Sequence, residues 1–210
     1  IAAYKTGNLL LANLPPFGGN IVRSQFVPMN GVNDTVFVDV QDDQYVPADS
    51  VKLNYSVNGG ANTVVSMTRI SGDSIKGKYR GVIPGAVNTN GARIAYYVTD
   101  ADNQGVRFTG ATTGYFAGIT KMRLAGPGAL DTSNGVILWS GFGIRVQGVC
   151  VQEDSLIAIP TSRHDVVLQD ETGAMDFIEF AVNSVAPPWG MKRGRLYTAT
   201  GLIGQFNGKI

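Results

Sequence analysis

The chain of 210 residues has few of the side chains that enzymes use most often for chemistry. It contains one cysteine, Cys150, and one histidine, His164. A lone cysteine excludes a disulfide within the chain, and one cysteine with one histidine is too few for the usual zinc clusters. Neither a G-x-S-x-G serine motif nor a G-x-x-x-x-G-K-[ST] phosphate loop is present. The sequence therefore predicts a protein with no catalytic residues and no cofactor.

Charge is also scarce and almost balanced. The chain has 17 lysines and arginines and 16 aspartates and glutamates, which gives a formal net charge of +1. This balance predicts neither a strong polyanion binder nor an acidic tail. No apolar run approaches the ~20 residues of a membrane-spanning helix, and no signal-peptide pattern is present. An Ile rather than a Met at position 1 is what a processed or excised segment would show, and the Gly, Thr, Asn and Val content is typical of secreted or cell-surface β-proteins.

Helical periodicity is missing as well, whereas strand alternation is frequent. We assign residues 1–19 to an N-terminal extension, because two prolines and two glycines follow its apolar run. Residues 20–118 contain about seven short alternating segments with turn residues between them. This spacing predicts a β-sandwich of the immunoglobulin or fibronectin kind. The predicted strands include 35–40, 51–57, 63–67, 75–83, 92–99 and 106–109.

The same stretch also resembles a known family. The motifs LNYSVNGG, YRGVIPG and GARIAYYVTDADNQG are similar to Ig-like modules of secreted bacterial hydrolases and adhesins. The resemblance covers most of residues 50–105 and implies a spacer or contact module without catalysis. A linker of residues 119–141 follows, in which the apolar segment 136–139 is expected to pack partly against its surroundings.

Residues 142–210 carry a second pattern of strands. Ile144, Val146 and Cys150 alternate with polar residues, and this predicts a strand with Cys150 as a small buried apolar residue. Gly148 interrupts the pattern and predicts a bulge or a sharp bend. Further strands are expected near 166–169, 175–180 and 196–203, and together the four segments suggest a small curled barrel.

This second half resembles the OB-fold modules of large secreted bacterial proteins, including modules attached to extracellular nucleases. The segments RVQGV, VLQDETGAMDF and GRLYTATGLIGQFNG carry the similarity. Ala174 stands where the family usually has a second Gly, and Arg195 where it usually has an acidic residue; neither change threatens the fold. An OB barrel needs a fifth strand, which these residues do not supply, so the barrel is expected to be open along one seam.

An open seam suggests two kinds of partner. Another module of a longer chain could supply the missing strand, or the apolar N-terminal segment of a neighbouring copy could fill it and build a filament. The residues predicted for this inter-subunit strand are Leu9, Leu10, Leu11 and Leu14.

Two ligand classes remain open. An OB surface binds single-stranded nucleic acid through a basic groove with stacking aromatic rings, and exposed aromatic rings also bind carbohydrate. The plainer interpretations are a solvated turn for the basic residues and core packing for Trp139, Trp189 and Tyr115. The predicted ligand-binding residues are Arg145, Gln147, Lys192, Arg193, Arg195, Tyr197, Phe206 and Trp189.

Two short acidic clusters complete the inventory. Asp39, Asp42 and Asp43 form one, and Asp100 and Asp102 with Asn103 form the other. Aspartate and asparagine are common turn formers, so we assign no metal site. Asp100 and Asp102 are weak calcium candidates, because calcium takes oxygen ligands of this kind.

The sequence thus predicts an all-β protein: an Ig-like β-sandwich followed by a small OB-like β-barrel that lacks its final strand. The expected role is that of a non-catalytic structural or binding module pair in a secreted or cell-surface protein. The alternatives are a filament subunit assembled by strand addition and a nucleic-acid-binding accessory region of a secreted nuclease.

Overall fold

Strands and turns account for almost all of the chain that the computed structural model describes, which comprises residues 13–125, 130–131, 133, 135–153, 163–180 and 190–205. The all-β prediction is confirmed. The first half contains β1 Phe17–Arg23, β2 Asp34–Gln41, β3 Lys52–Val57, β4 Thr63–Ser66, β5 Thr68–Gly72, β6 Lys76–Ile83, a 3-10 turn Gly85–Val87, β7 Arg93–Ala101, β8 Arg107–Thr109 and β9 Thr113–Phe116. The second half contains α1 Met122–Ala125, β10 Leu130–Asp131, β11 Val136–Ile137, β12 Gly143–Gln152, β13 Arg163–Gln169, β14 Ala174–Phe180 and β15 Leu196–Leu202.

The first half is two sheets packed face to face. One sheet has the strand order β1-β2-β6-β5, and the other contains β9-β7-β3-β4, with β8 paired to the end of β7. Alternate residues of each sheet point between the layers. In β2 these are Val36, Val38 and Val40, and in β7 they include Ile94 and Val98, all of them buried. Turn chemistry sets the hairpins: Asn58 and Gly59 both adopt positive φ at the β3–β4 turn, as the commonest tight hairpins require.

The chain crosses from one sheet to the other at Met67. The strand predicted over 63–67 corresponds to β4 in one sheet, whereas β5 in the other sheet was not predicted. Met67 lies between them with its side chain in the core. Met67 therefore closes this side of the sandwich, because its side chain points into the core while the side chains of β4 and β5 are mostly exposed.

A half-buried arginine joins the two sheets. Arg23, at the end of β1, lies 3.6 Å from the carboxylate of Asp34 and has its guanidinium carbon 4.5 Å from the centre of the Tyr115 ring. The Tyr115 hydroxyl donates to the side-chain oxygen of Asn88. Burial raises the pKa of Asp34, and the nearby charge of Arg23 opposes that rise. The charges of Arg23 and Asp34 thus offset each other, and the Tyr115 ring covers the pair.

The larger sheet continues from the first half into the second. β9 and β12 pair in parallel at Tyr115 and Gly143, and the Thr120 N–H donates to the Arg145 carbonyl at 2.8 Å. The Phe116 and Phe142 rings pack nearby, with centroids 6.4 Å apart. The described strands on one path across this sheet run β14-β13-β12-β9-β7-β3-β4. A short backbone contact, made of one parallel residue pair and one further bridge between Thr120 and Val146, therefore links the two halves.

The second half curls around β12. β15 pairs along the first seven residues of β12, whereas β13 pairs near its end and carries β14 on its outer side. These strands enclose a second core that includes Ile144, Val146, Cys150 and Leu168. The thiol of Cys150 is buried, as predicted, and burial raises its pKa. Within the described residues β14 and β15 do not pair with each other, so the strands form no closed barrel.

Gly148 differs from its prediction. β12 pairs with β15 in unbroken register through Gly148, and the bulge lies between Cys150 and Gln152, opposite β13. A side chain at Gly148 would collide with the Met122 side chain and approach the Gln169 carbonyl within 2.7 Å. Glycine is therefore required there by close packing of α1 and β13, and not by a bend.

The start of the first strand also differs from its prediction. We expected Pro15–Gly19 to break regular structure, but β1 begins at Phe17 and includes Gly18 and Gly19. The register of β1 against β2 shifts between Gly19 and Val22, where Asn20 has a positive φ of 48°. The glycines accordingly permit a bulged edge strand, which is a common place for irregularity. In the described part of the chain no helix is long and apolar enough to cross a membrane.

Candidate binding site: the seam between two strand edges

A groove separates β14 from β15 in the curled half. It has a volume of about 580 Å³. We call this groove, together with the two strand edges beside it, the seam. It is lined by Ile144, Met175, Asp176, Phe177, Ile178, Met191, Ala199, Thr200, Gly201, Leu202, Ile203 and Gly204.

The hydrogen bonds of β15 show which backbone groups face the seam. Cys150 N–H donates to the Arg195 carbonyl at one end of the β12–β15 pair, and Ile203 N–H donates to the Phe142 carbonyl at the other. In an antiparallel pair the residues alternate between facing the partner and facing away. Odd-numbered residues of β15 therefore bond to β12, and the N–H groups of Thr198 and Thr200 point toward the seam.

The inner wall of the seam is apolar. Met175 and Ile203 are buried at its base, and Phe177, Met191 and Ala199 are half-buried and pack against the second core. In contrast, the outward positions of β15 are exposed, including Leu196 and Leu202. An added strand would therefore place its inward side chains on apolar surface, and its backbone beside unsatisfied strand edges.

Two of the predicted ligand residues share the outer face of this sheet. Arg145 and Gln147 pair with Thr200 and Thr198 in the β12–β15 register, so all four side chains project on one side. The Gln147 amide donates to the Thr198 hydroxyl at 3.3 Å. Arg145 contacts the sulfur of Met29 from the sandwich half. The centre of this face is polar, and its ends carry the exposed side chains of Leu196, Leu202 and Val149. The face lies on the opposite side of the sheet from the second core.

Tyr197 lies on the other side of the sheet. It pairs with Gly148, and its ring packs against the second core. Its hydroxyl accepts a hydrogen bond from the backbone N–H of Lys192 at 2.8 Å. The structure therefore places Tyr197 on the face away from Arg145 and Gln147, so the three side chains do not form one flat binding surface.

The predicted basic residues before β15 form an exposed turn. The Lys192 ammonium lies 3.5 Å from the Glu153 carboxylate, and the Arg193 backbone N–H donates to the same carboxylate at 2.7 Å. Arg195 is exposed, and its carbonyl holds the end of β12. Glu153 thus offsets part of the positive charge here. Nucleic-acid binding by these residues stays a prediction.

Some predicted residues lie outside the described residues. These are Trp189, Phe206, Leu9, Leu10 and Leu11. Leu14 is described, and its side chain is 63% exposed. Its neighbour Asn13 is bonded to the sandwich, since its amide donates to the Asp102 carboxylate. Asn13 therefore meets the sandwich at the β7–β8 hairpin.

The other aromatic candidates are covered by neighbouring side chains. Tyr115 is fully buried. Trp139 is half-buried, with the Arg93 guanidinium carbon 3.6 Å from its ring centre and the Phe142 ring centroid at 5.7 Å. Carbohydrate stacking needs an open ring face, and Tyr115 offers none while Arg93 covers one face of Trp139. Both side chains contribute to packing around the junction of the two halves.

The acidic candidates gather at one end of the sandwich. Asp42, Asp100 and Asp102 are all buried, with 6%, 2% and 4% of their surface exposed. Burial raises the pKa of Asp100 to about 7, and the neighbouring charges of Asp42 and Asp102 add to the effect. Among the described residues no group of three or more His, Cys, Asp or Glu side chains is arranged to hold a metal ion. The sequence analysis grouped Asp100 with Asp102 because they are close along the chain. It did not indicate that Asp42 and Asn13 lie beside them in the fold.

Comparisons with known proteins add little. No family model matches the chain, and no curated protein matches it. A crystal structure of a bromine derivative of the carbohydrate-binding module BhCBM56 is 19% identical, covers 43% of this chain and 85% of that one, and has a TM-score of 0.31. The sporulation control protein Spo0M from Bacillus subtilis is 10% identical, covers 90% and 91% of the two chains, and has a TM-score of 0.34. At these scores we base no conclusion on either likeness.

Proposed function

We propose that this chain is a non-catalytic pair of β-modules in a secreted or cell-surface protein. The Ig-like sandwich of residues 20–118 serves as a spacer, and the OB-like curled sheet of residues 142–210 serves as a binding module. The ligand of the curled sheet is an extended β-strand that enters the seam and pairs with β15. The observation that carries the proposal is the edge of β15 turned away from β12, which pairs with no other strand among the described residues and lies beside an apolar groove.

The chemistry of the seam defines its ligand. Main-chain hydrogen bonds to Thr198 and Thr200 would give affinity that depends little on sequence, as in other strand-addition complexes. The apolar wall formed by Met175, Phe177 and Ile203 favours apolar side chains at every second position. The alternate positions face solvent and favour polar residues. The expected partner is thus a strand of alternating apolar and polar residues from another module or protein.

The shared sheet supports this division of roles. A ladder through β9 and β12 attaches the curled half to the sandwich, and Phe116 packs on Phe142 beside it. The sandwich therefore holds the seam in a fixed orientation. Such an arrangement suits a spacer that presents a binding edge.

A proline in the free edge tests the proposal. In Thr200→Pro the N–H that points to the seam is lost, while the bonds to β12 come from odd-numbered residues and remain. Thr200→Ala is the matched control, because it changes the side chain and keeps the N–H. The probe is a fluorescein-labelled strand peptide of about eight alternating valines and threonines, with binding measured by fluorescence anisotropy.

We expect the peptide to bind the wild type and Thr200→Ala equally, and Thr200→Pro at least about tenfold more weakly. Equal binding to all three proteins would show that the peptide does not pair with β15, and absence of binding to the wild type would remove the proposal. A second peptide with the sequence of Lys5–Leu14 tests the filament alternative. Preference for this peptide, together with concentration-dependent polymers, would identify a neighbouring copy as the source of the strand.

A further inference from the structure

Two inward rows of the sandwich end in carboxylates at the same end of the molecule. In β2 the inward positions are Val36, Val38 and Val40, and the next inward residue is Asp42. In β7 the row Ile94, Tyr96 and Val98 is followed by Asp100. Because the two strands belong to facing sheets, the apolar core is closed at this end by two buried acids.

These acids are incompletely hydrogen-bonded, although the Oδ1 atom of Asp42 accepts the backbone N–H of Asp43 at 2.9 Å. Both carboxylate oxygens of Asp100 and the Oδ2 atom of Asp42 are buried and accept no hydrogen bond in the structure. The side-chain oxygen of Asn13 is likewise buried and unbonded. A buried polar atom without a partner is costly, and natural proteins rarely keep several of them together. Four unbonded oxygen atoms in one region therefore point to a missing electropositive group.

Asp102 brings Asn13 to this cluster and is itself satisfied. Its Oδ1 atom accepts the backbone N–H groups of Gln104 and Val106 at 2.8 and 2.9 Å, and its Oδ2 atom accepts the Asn13 amide. The Asn103 N–H donates to the Tyr45 carbonyl, which ties this hairpin to the loop after β2. Asp102 thus shapes the cluster, and the unbonded oxygens belong to the other three residues.

The cluster is also electrically unbalanced. Among the described residues no ion pair reaches Asp42, Asp100 or Asp102. The mutual repulsion of these acids is part of what displaces the Asp100 pKa. A bound cation would balance the charge and occupy the unbonded oxygens at the same time.

We propose that Asp42, Asp100 and Asn13 bind a calcium ion that joins the two sheets at this end of the sandwich. Calcium takes six to eight oxygen ligands and accepts irregular arrangements of carboxylates, amide oxygens and water. The site uses two carboxylates and one amide, so it needs no group of three acidic ligands. Magnesium demands a nearly ideal octahedron and keeps its own water, so it binds more weakly here.

Calorimetric titration and thermal unfolding test the site on the full chain after treatment with a chelator. We expect calcium chloride to bind the wild type with a Kd of roughly 10⁻⁴–10⁻³ M, the range of extracellular modules, and to raise its Tm. Asp100→Asn removes the charge and keeps the shape, and should weaken binding by at least about tenfold. Asp42→Asn serves as a second variant in case the first fails to fold. Asp49→Asn, at an exposed turn position, is the matched control.

The outcomes separate the site from general salt effects. Binding by the wild type and by Asp49→Asn, with loss in Asp100→Asn or Asp42→Asn, would support the proposal. Equal binding by all variants would place calcium elsewhere on the surface, and a wild type that shows no heat and no Tm shift at 10 mM calcium would overturn it. An equal response to magnesium would contradict the ligand geometry. None of these results depends on the seam.

Discussion

The sandwich half and the curled half use the same alternating pattern with different results. In β2 the inward residues are all buried, whereas in β15 every residue is half-buried or exposed. The difference lies in the opposing layer, because β2 faces a second sheet and the inner face of β15 borders the open seam. Alternation in a sequence therefore determines which face a residue occupies, and the tertiary neighbours determine whether that face is buried.

This difference assigns different roles to the halves. A face that is already covered stabilises the fold, whereas a partly covered face with a free backbone edge remains able to bind. We therefore expect the sandwich to provide most of the stability, and we propose the curled half as the binding surface. The predictions below test that contrast, beginning with the largest expected effect.

Leucine truncation gives the sharpest contrast. Leu53 is fully buried between the sheets of the sandwich, and Leu202 on β15 is 62% exposed. We expect Leu53→Ala to lower the free energy of unfolding by about 2–5 kcal/mol, because it removes buried apolar surface and leaves a cavity. Leu202→Ala should change it by only about 0.5 kcal/mol. Urea denaturation measures both, and similar losses in the two variants would contradict the contrast.

Replacing a glycine by alanine compares how tightly the chain packs at the junction of the two halves and at the seam. A side chain at Gly114 in β9 would collide with the Ile94 carbonyl and the Phe142 ring, whereas no atom of a described residue lies within 4 Å of the corresponding position at Gly201. Gly114→Ala should therefore destabilise by about 1–3 kcal/mol through overpacking. Gly201→Ala should be neutral or slightly stabilising. A tolerant Gly114 would show that the two halves pack more loosely than the structure indicates.

The effect of pH on Asp100 is the smallest of the three. Its pKa in the folded protein is about 7, against an ordinary value of 3.8, so the folded state keeps a proton that the unfolded chain has lost. The contribution of Asp100 to the free energy of unfolding is therefore complete at low pH and declines as pH rises from about 4 to about 7. One proton gives a slope of at most about 1.4 kcal/mol per pH unit.

Urea denaturation with a chelator present measures this slope. Comparison with Asp100→Asn isolates it from the titration of other groups, including Asp34 and Asp42, whose pKa values are also raised by burial. The charges of Asp42 and Asp102 help to raise the pKa of Asp100. The charge of Asp100 in turn contributes to the raised pKa of Tyr79. Identical pH profiles for the wild type and the variant would mean that Asp100 is solvated.

Local sequence pattern was sufficient for much of the fold. The alternation in 35–40, 51–57 and 92–99 predicted β2, β3 and β7 to within about two residues, because one face of each strand is buried. The turn at Asn58 and Gly59 was equally readable, since few residues accept positive φ. Among the described residues β14 and β15 do not pair and no closed barrel forms. That this gap is the place of a missing fifth OB strand stays a prediction.

Features that depend on distant residues could not be predicted in this way. Gly148 was interpreted as a bend, but its smallness accommodates Met122 and Gln169, which a local pattern does not reveal. The pairing of Arg23 with Asp34 and Tyr115 joins three separate segments. The same holds for Asn13 and Asp42 beside Asp100, where only the folded chain brings the oxygens together.

The ladder between β9 and β12 has a mechanical consequence. Paired backbones resist twisting far more than a flexible linker does, so torsion applied to the curled half is transmitted to the sandwich through Tyr115 and Gly143. Tyr115 also covers the Arg23–Asp34 pair on its other side. Load on a strand held at the seam would therefore pass through this short parallel contact to Tyr115 and the ion pair that it covers, and the contact itself would be the weakest point under force.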